Sequence, residues 1–121
     1  MIKNNLLLVE DDYEIAKKLF STTNNLESIG NVELSVNLKE AIKKLSEGNF
    51  NIVILDLNLP DGSGVELLKW LRNKNFNLKV FIFSLNIELK KICLKLGAHS
   101  FFDKSKDFDF LIDTLDNSHK N

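Results

Sequence analysis

A single cysteine, Cys93, rules out any disulfide within the 121 residues. A single proline, Pro60, and only five glycines leave no Pro/Gly/Ser-rich linker that could divide the chain. Repeats and low-complexity segments are missing too. Charge of one sign is also missing. Sixteen basic residues stand against seventeen acidic ones, for a net charge of −1, so no global basic field argues for direct contact with nucleic acid. No apolar run approaches the roughly 20 residues that cross a bilayer. The N-terminal Met1-Ile2-Lys3-Asn4-Asn5 brings one lysine before only four apolar residues, and acidic residues follow at once, unlike a secretory leader. These absences lead us to expect a cytoplasmic protein with no membrane contact, forming one domain over residues 1–121.

What remains is ordinary globular material, 44% apolar and 27% charged, enough to bury one core without cross-links. Short apolar runs alternate with helical stripes. Leu6-Leu7-Leu8-Val9, Ile52-Val53-Ile54-Leu55 and Val80-Phe81-Ile82-Phe83 are continuous runs of strand length. Val32 to Val36 alternates, as a strand with one exposed face would, and Ser100-Phe101-Phe102 is a short fifth strand. Between them lie helical stripes: Ile15, Ala16, Leu19 and Phe20, capped by Asp12; Leu38, Ala41, Ile42 and Leu45, behind the variant capping box Asn37…Glu40; and Val65, Leu68 and Leu71. Ile87 to Leu96 follows, stopped by Gly97, and Phe108, Leu111, Ile112 and Leu115 close the series. The order is βα five times. Strands apolar on both faces predict a five-stranded parallel sheet, doubly wound, with helices on both sides. In such sheets ligands bind outside the carboxyl ends of the strands.

Those ends carry chemistry. The first strand runs into Glu10-Asp11-Asp12, the third into Asp56, the fourth into Ser84 and the fifth toward Lys104. A parallel sheet opens all four ends on one edge. Clustered carboxylates there must be relieved by protonation or by a cation, and an all-oxygen set suits Mg²⁺. A carboxylate can also carry a phosphoryl group as a nucleophile, which needs positioning and charge neutralisation more than further covalent chemistry. Several other residues read as structural. Asp12 is a helix cap, Cys93 a buried thiol, Trp70 partly buried core, and Asp61 and Gly62 turn residues. The pairs Lys17-Lys18, Lys43-Lys44 and Lys90-Lys91 read as solvated helix faces. His99 and His119 have no ligand spacing and receive no role.

The residues Leu6–Asp12 (LLLVEDD), Ile52–Gly64 (IVILDLNLPDGSG), Phe81–Ser84 (FIFS) and Phe101–Lys104 (FFDK) resemble, in order and spacing, the four signature segments of response-regulator receiver domains. The resemblance covers nearly the whole chain and implies a single receiver domain with no effector domain in these residues. It also implies the flavodoxin-like strand order 2-1-3-4-5. Asp56 is then the phosphoacceptor. Glu10, Asp11, Asp56 and the backbone carbonyl of Asn58 form the Mg²⁺ site, with Asp11 a direct ligand and Glu10 acting mainly through water. Lys104 pairs with the phosphoryl group, and Ser84 and Phe101 form the switch. The partners implied are a sensor histidine kinase or histidine phosphotransfer protein, and a downstream protein met through the fourth helix, fifth strand and fifth helix.

The family commonly carries proline after the lysine, a small residue after the switch hydroxyl, and tyrosine as the switch aromatic. Here those positions hold Ser105, Leu85 and Phe101. Serine at 105 keeps its N–H and favours a trans bond. Leu85 places bulk beside the phosphoryl position, and Phe101 must choose its state by packing alone. Three other readings compete. A receiver reduced to a docking module would keep the fold but not the chemistry. An aspartate-nucleophile phosphatase needs an acid two residues after its nucleophile, where Asn58 stands. A flavodoxin-type flavin site needs a phosphate-binding loop where Glu10-Asp11-Asp12 would repel the anion. The expected protein is therefore not an enzyme toward other substrates and catalyses only its own phosphorylation and dephosphorylation.

Overall fold

The computed structural model describes residues 2–117; His119 lies outside them. Five βα units follow one another: β1 (Asn4–Val9), α1 (Tyr13–Asn24), β2 (Ile29–Ser35), α2 (Leu38–Glu47), β3 (Ile52–Leu55), α3 (Gly64–Asn73), β4 (Lys79–Ser84), α4 (Lys90–Lys95), β5 (Ser100–Asp103) and α5 (Phe108–Asn117). All sheet pairings are parallel, in the order β2-β1-β3-β4-β5, which is the order the resemblance implied. A two-residue antiparallel pair, Asn58–Leu59 with Gly62–Ser63, folds the loop between β3 and α3.

The continuous apolar runs divide by alternation between two layers. Leu7, Val9, Val53, Leu55, Val80 and Ile82 face α2, α3 and Cys93 of α4. Leu6, Leu8, Ile52, Ile54, Phe81 and Phe83 face Leu19 of α1 and Leu111 and Leu115 of α5. Each such side chain contributes about 1.5–3 kcal/mol by leaving water, which is why the sheet tolerates charge at its ends but not inside.

The caps form as read. Asp12 Oδ1 accepts from the Ile15 N–H (3.1 Å) and Asn37 Oδ1 from the Glu40 N–H (2.8 Å). Gly97, at φ +103°, sits just past α4 in the left-handed region that glycine adopts without strain.

Four expectations need correcting. β2 begins at Ile29, not Val32, because buried Ile29 already pairs with Asn4; Val36 lies past its end and is exposed. The helix expected over Ile87–Leu96 opens as a single 3₁₀ turn, Ile87–Leu89, and becomes α-helical only at Lys90, since no side chain caps its start. Phe20 turns partly outward on α1. Asp61 serves more than its own turn. Its two oxygens accept the N–H groups of Leu38 (2.8 Å) and Lys39 (3.0 Å), tying the β3–α3 loop to the first turn of α2. Those bonds, Leu38 first, hold the Asp61 carboxyl below its ordinary value of 3.8.

Candidate functional site

β1 and β3 run side by side with Val9 opposite Leu55, so the next residues, Glu10 and Asp56, emerge together. Both leave from backbone still held by the sheet: the Glu10 N–H donates to the Ser35 carbonyl and the Asp56 N–H to the Val9 carbonyl, each at 3.0 Å. Glu10 is 2% exposed and Asp56 5%, whereas Asp11 faces solvent. The three carboxylates each offer an oxygen, and these oxygens lie within 4.8 Å of one another.

Lys104 arrives from the neighbouring strands. Its N–H donates to the Ser84 carbonyl (3.0 Å), and its ammonium lies 2.9 Å from Asp56 Oδ2 and 2.7 Å from Glu10 Oε1. The second oxygen of Glu10 accepts the Asp12 N–H (3.1 Å). Burial pushes the Glu10 carboxyl up to about 7; Lys104 pulls it back and the Asp56 charge adds to the rise. For Lys104, burial disfavours the ammonium, but the two carboxylates outweigh it and raise its pKa above the ordinary lysine value. One ammonium against three carboxylates leaves excess negative charge on an all-oxygen set, which fits a hard divalent cation such as Mg²⁺.

The other expected residues sit around this centre. Asn58 is exposed, and its N–H donates to Asp56 Oδ1 (3.3 Å). Ser84 is fully buried at the end of β4, but its hydroxyl is turned to its own loop. It accepts the Asn86 N–H (3.0 Å) and donates to Asn86 Oδ1 (3.3 Å). Phe101 is half-buried against the layer under α2, α3 and α4. Leu85 is 65% exposed. No peptide bond among the described residues is cis, so Lys104–Ser105 is trans.

Two residues matter here that the sequence reading did not single out for their roles. Asn86 holds the Ser84 hydroxyl. Gly64 lets the start of α3 close on Asp56: a Cβ there would collide with the backbone carbonyl oxygen of Asp56 and press on Leu57. Gly64 stood in the matched segment but its reason did not. Asn86 gave no signal beyond following a strand-end serine by two residues, the spacing of a side-chain turn.

The profile of the response regulator receiver domain matches residues 6–116. The chain belongs to the response regulator receiver family. This receiver is 36% identical over 103 residues to the swarming motility regulation protein RssB of Serratia marcescens, covering 83% of this chain and 46% of that protein. It is 34% identical over 116 residues to the transcriptional regulatory protein CrdR of Helicobacter pylori, covering 91% of this chain and 52% of that one. The receiver thus spans about half the length of these curated relatives. Among solved structures, the Francisella response regulator 1452 receiver domain matches with a TM-score of 0.87 at 28% identity, covering 98% of both chains. The Thermotoga maritima response regulator protein TrrA, solved in complex with Mg²⁺-BeF, matches at 0.81 and 27% identity, over 93% of this chain and 96% of that one. Membership places the receiver in two-component, phosphorylation-dependent signalling. Among the described residues, no helix is long and apolar enough to cross a membrane.

Proposed function

We propose that this receiver is a cytoplasmic switch thrown by a phosphoryl group on Asp56, taken from a phosphohistidine of a sensor histidine kinase or a histidine phosphotransfer protein. The contact that supports this most is the Lys104 ammonium, held at 2.9 Å from Asp56 and 2.7 Å from Glu10 beside exposed Asp11. An Asp56 carboxylate oxygen attacks phosphorus. The O–P bond forms as the P–N bond to the donor imidazole breaks, and the nitrogen keeps that electron pair and takes up a proton. The protein contributes position and charge. Asn58 N–H and Lys104 each hold one Asp56 oxygen, fixing the plane of the nucleophile. Glu10, Asp11, Asp56 and the Asn58 carbonyl would hold Mg²⁺. When bound, Mg²⁺ supplies charge neutralisation at the phosphoryl oxygens.

After transfer, Lys104 pairs with the phosphoryl group. Ser84 leaves Asn86 for a phosphoryl oxygen, and Phe101 turns inward behind it, a local charge event biasing a two-state element. The readout is a protein partner on the α4–β5–α5 face, where Ile92 and Phe110 are 44% and 64% exposed. The receiver contacts no nucleic acid itself and turns over no substrate but its own acyl phosphate. Asn58, two residues past Asp56, lacks the proton that a phosphatase of this type requires.

Incubation with Mg²⁺ and acetyl phosphate should place one phosphoryl group on the wild type and none on Asp56→Asn, by intact mass, with chelator abolishing the reaction. An equal adduct on Asp56→Asn refutes the assignment. Failure of the wild type with both acetyl phosphate and beryllofluoride would leave the domain a docking module.

A further inference from the structure

The turn at the end of β5 is built around two carboxylates, those of Asp103 and Asp107. The Asp103 N–H donates to Asp107 Oδ2 (2.9 Å). The Asp103 carbonyl accepts the N–H groups of Lys106 (3.2 Å) and Asp107 (2.8 Å). Its Oδ1 accepts both the N–H (2.9 Å) and the hydroxyl (2.6 Å) of Ser105. Lys104 therefore stands between two residues that are bonded to each other across it. Its own N–H is committed to the Ser84 carbonyl (3.0 Å), which leaves the side chain to run to Glu10 and Asp56. The Ser105 hydroxyl, then the Ser105 N–H, keeps the Asp103 carboxyl below its ordinary value, so the acceptor stays ionised at neutral pH.

A lysine side chain loses much rotamer freedom when it is held in one place, and a backbone that wandered would add to what ordering its ammonium costs. We propose that Asp103, Ser105 and Asp107 form a positioning clamp for Lys104: the Asp103 carboxylate, bonded twice to Ser105, and Asp107, bonded to the Asp103 N–H, fix the backbone from which the ammonium reaches Asp56. Ser105 faces solvent, and the side-chain bonds given for Asp103 and Asp107 stay within residues 103–107. All three act through Lys104 and are positioning residues. The kinetic consequence rests on the phosphoacceptor reading of Asp56; the geometric one does not. A purely structural role for the loop is the alternative, since Asp107 also starts α5, its carbonyl accepting the Leu111 N–H (2.9 Å).

The test compares Asp103→Ala, Asp103→Asn and Ser105→Ala with Lys104→Ala as the reference for complete loss. Two readouts are needed: the acetyl phosphate concentration dependence of phosphorylation with Mg²⁺ saturating, and the ¹⁵N-detected signal of the Lys104 ammonium in the unmodified protein. Asp103→Ala should lower the maximal rate about tenfold with half-saturation unchanged, the size of one lost charge-assisted hydrogen bond. Its ammonium signal should move toward that of a solvated lysine. Asp103→Asn keeps an oxygen for Ser105 and should recover to within about threefold of wild type. Ser105→Ala removes only the exposed hydroxyl bond and should shift both readouts in the same direction by less, which keeps the test open if Asp103→Ala does not fold. Wild-type rate and signal in Asp103→Ala and Ser105→Ala overturn the clamp, as does Asp103→Asn as slow as Asp103→Ala, which would point to charge instead. Absence of phosphorylation on the wild type as well as on every variant, with the ammonium signal still displaced in Asp103→Ala, refutes the Asp56 reading and upholds the clamp.

Discussion

The two walls of the acidic crevice share inter-strand backbone bonds but differ in what else holds them. On the β1–β3 wall, Glu10 and Asp56 are almost fully buried and leave directly from ladder-bonded backbone, with α3 pressed against Asp56 at Gly64. On the β4–β5 wall, the Lys104 N–H keeps one bond to the neighbouring strand at the Ser84 carbonyl, but the Ser84 hydroxyl is tied only to Asn86, and Asp103, Ser105 and Asp107 bracket Lys104 through hydrogen bonds of the β5–α5 loop. Beyond it Leu85 and Ile87 are 65% and 58% exposed, and α4 buries only Cys93. Backbone ladders and close packing cost several contacts to displace, whereas single loop hydrogen bonds are worth about 1 kcal/mol net. On the proposed reading, the first wall holds Asp56 still while the second changes state.

The contrast can be broken from either side. Lys104→Ala should have the largest effect, slowing acetyl phosphate phosphorylation by about 100-fold, the usual cost of losing a charge that meets a developing anion. A wild-type rate would remove the β4–β5 wall from the chemistry altogether. Gly64→Ala attacks the fixed wall. Its Cβ meets backbone rather than a flexible side chain, so unfolding by urea should show a loss of about 1–3 kcal/mol. An unchanged midpoint would mean that this wall yields after all. Asn86→Ala removes the side-chain acceptor of the Ser84 hydroxyl but keeps the N–H that donates to it, and should favour the switched arrangement by about 1 kcal/mol, so half-saturation by beryllofluoride should fall roughly fivefold. A rise instead would show that Asn86 supports the switched state.

Asp61→Ala should be the mildest, a lowered melting temperature at neutral pH. The folded-state pKa of Asp61 lies below its unfolded value, so its contribution is complete above the ordinary carboxylate value of 3.8 and disappears as pH falls through the lowered one. Wild type and variant should therefore converge in acid; a gap that persists there would assign the loss to something other than the ionised cap.

The same division explains what could be read in advance. β1, β3 and β4 announced themselves as unbroken apolar runs, and Glu10, Asp56, Ser84 and Lys104 were legible because each ends or closely follows such a run. Asp61 was read as a local turn residue because its partners, Leu38 and Lys39, lie more than twenty positions away and only the fold brings them near. Gly64 needed the distance between α3 and the Asp56 backbone, which no pattern encodes. The 3₁₀ start of α4 hid because Ile87 and Leu89 keep apolar spacing while nothing caps the turn. Ser105 was visible as a departure from proline, but the carboxylate that compensates for it appears only when Asp103 and Ser105 are seen bonded.

Cys93 is the chain's sole thiol and lies at 0% exposure on the inner face of α4, its reactivity further suppressed because burial pushes its pKa up. A thiol reagent can reach it in the native protein only when that helix lifts. The rate of labelling is therefore a stopwatch on α4 that needs no introduced probe, and running it with and without a bound phosphoryl mimic would time the motion of the looser wall directly.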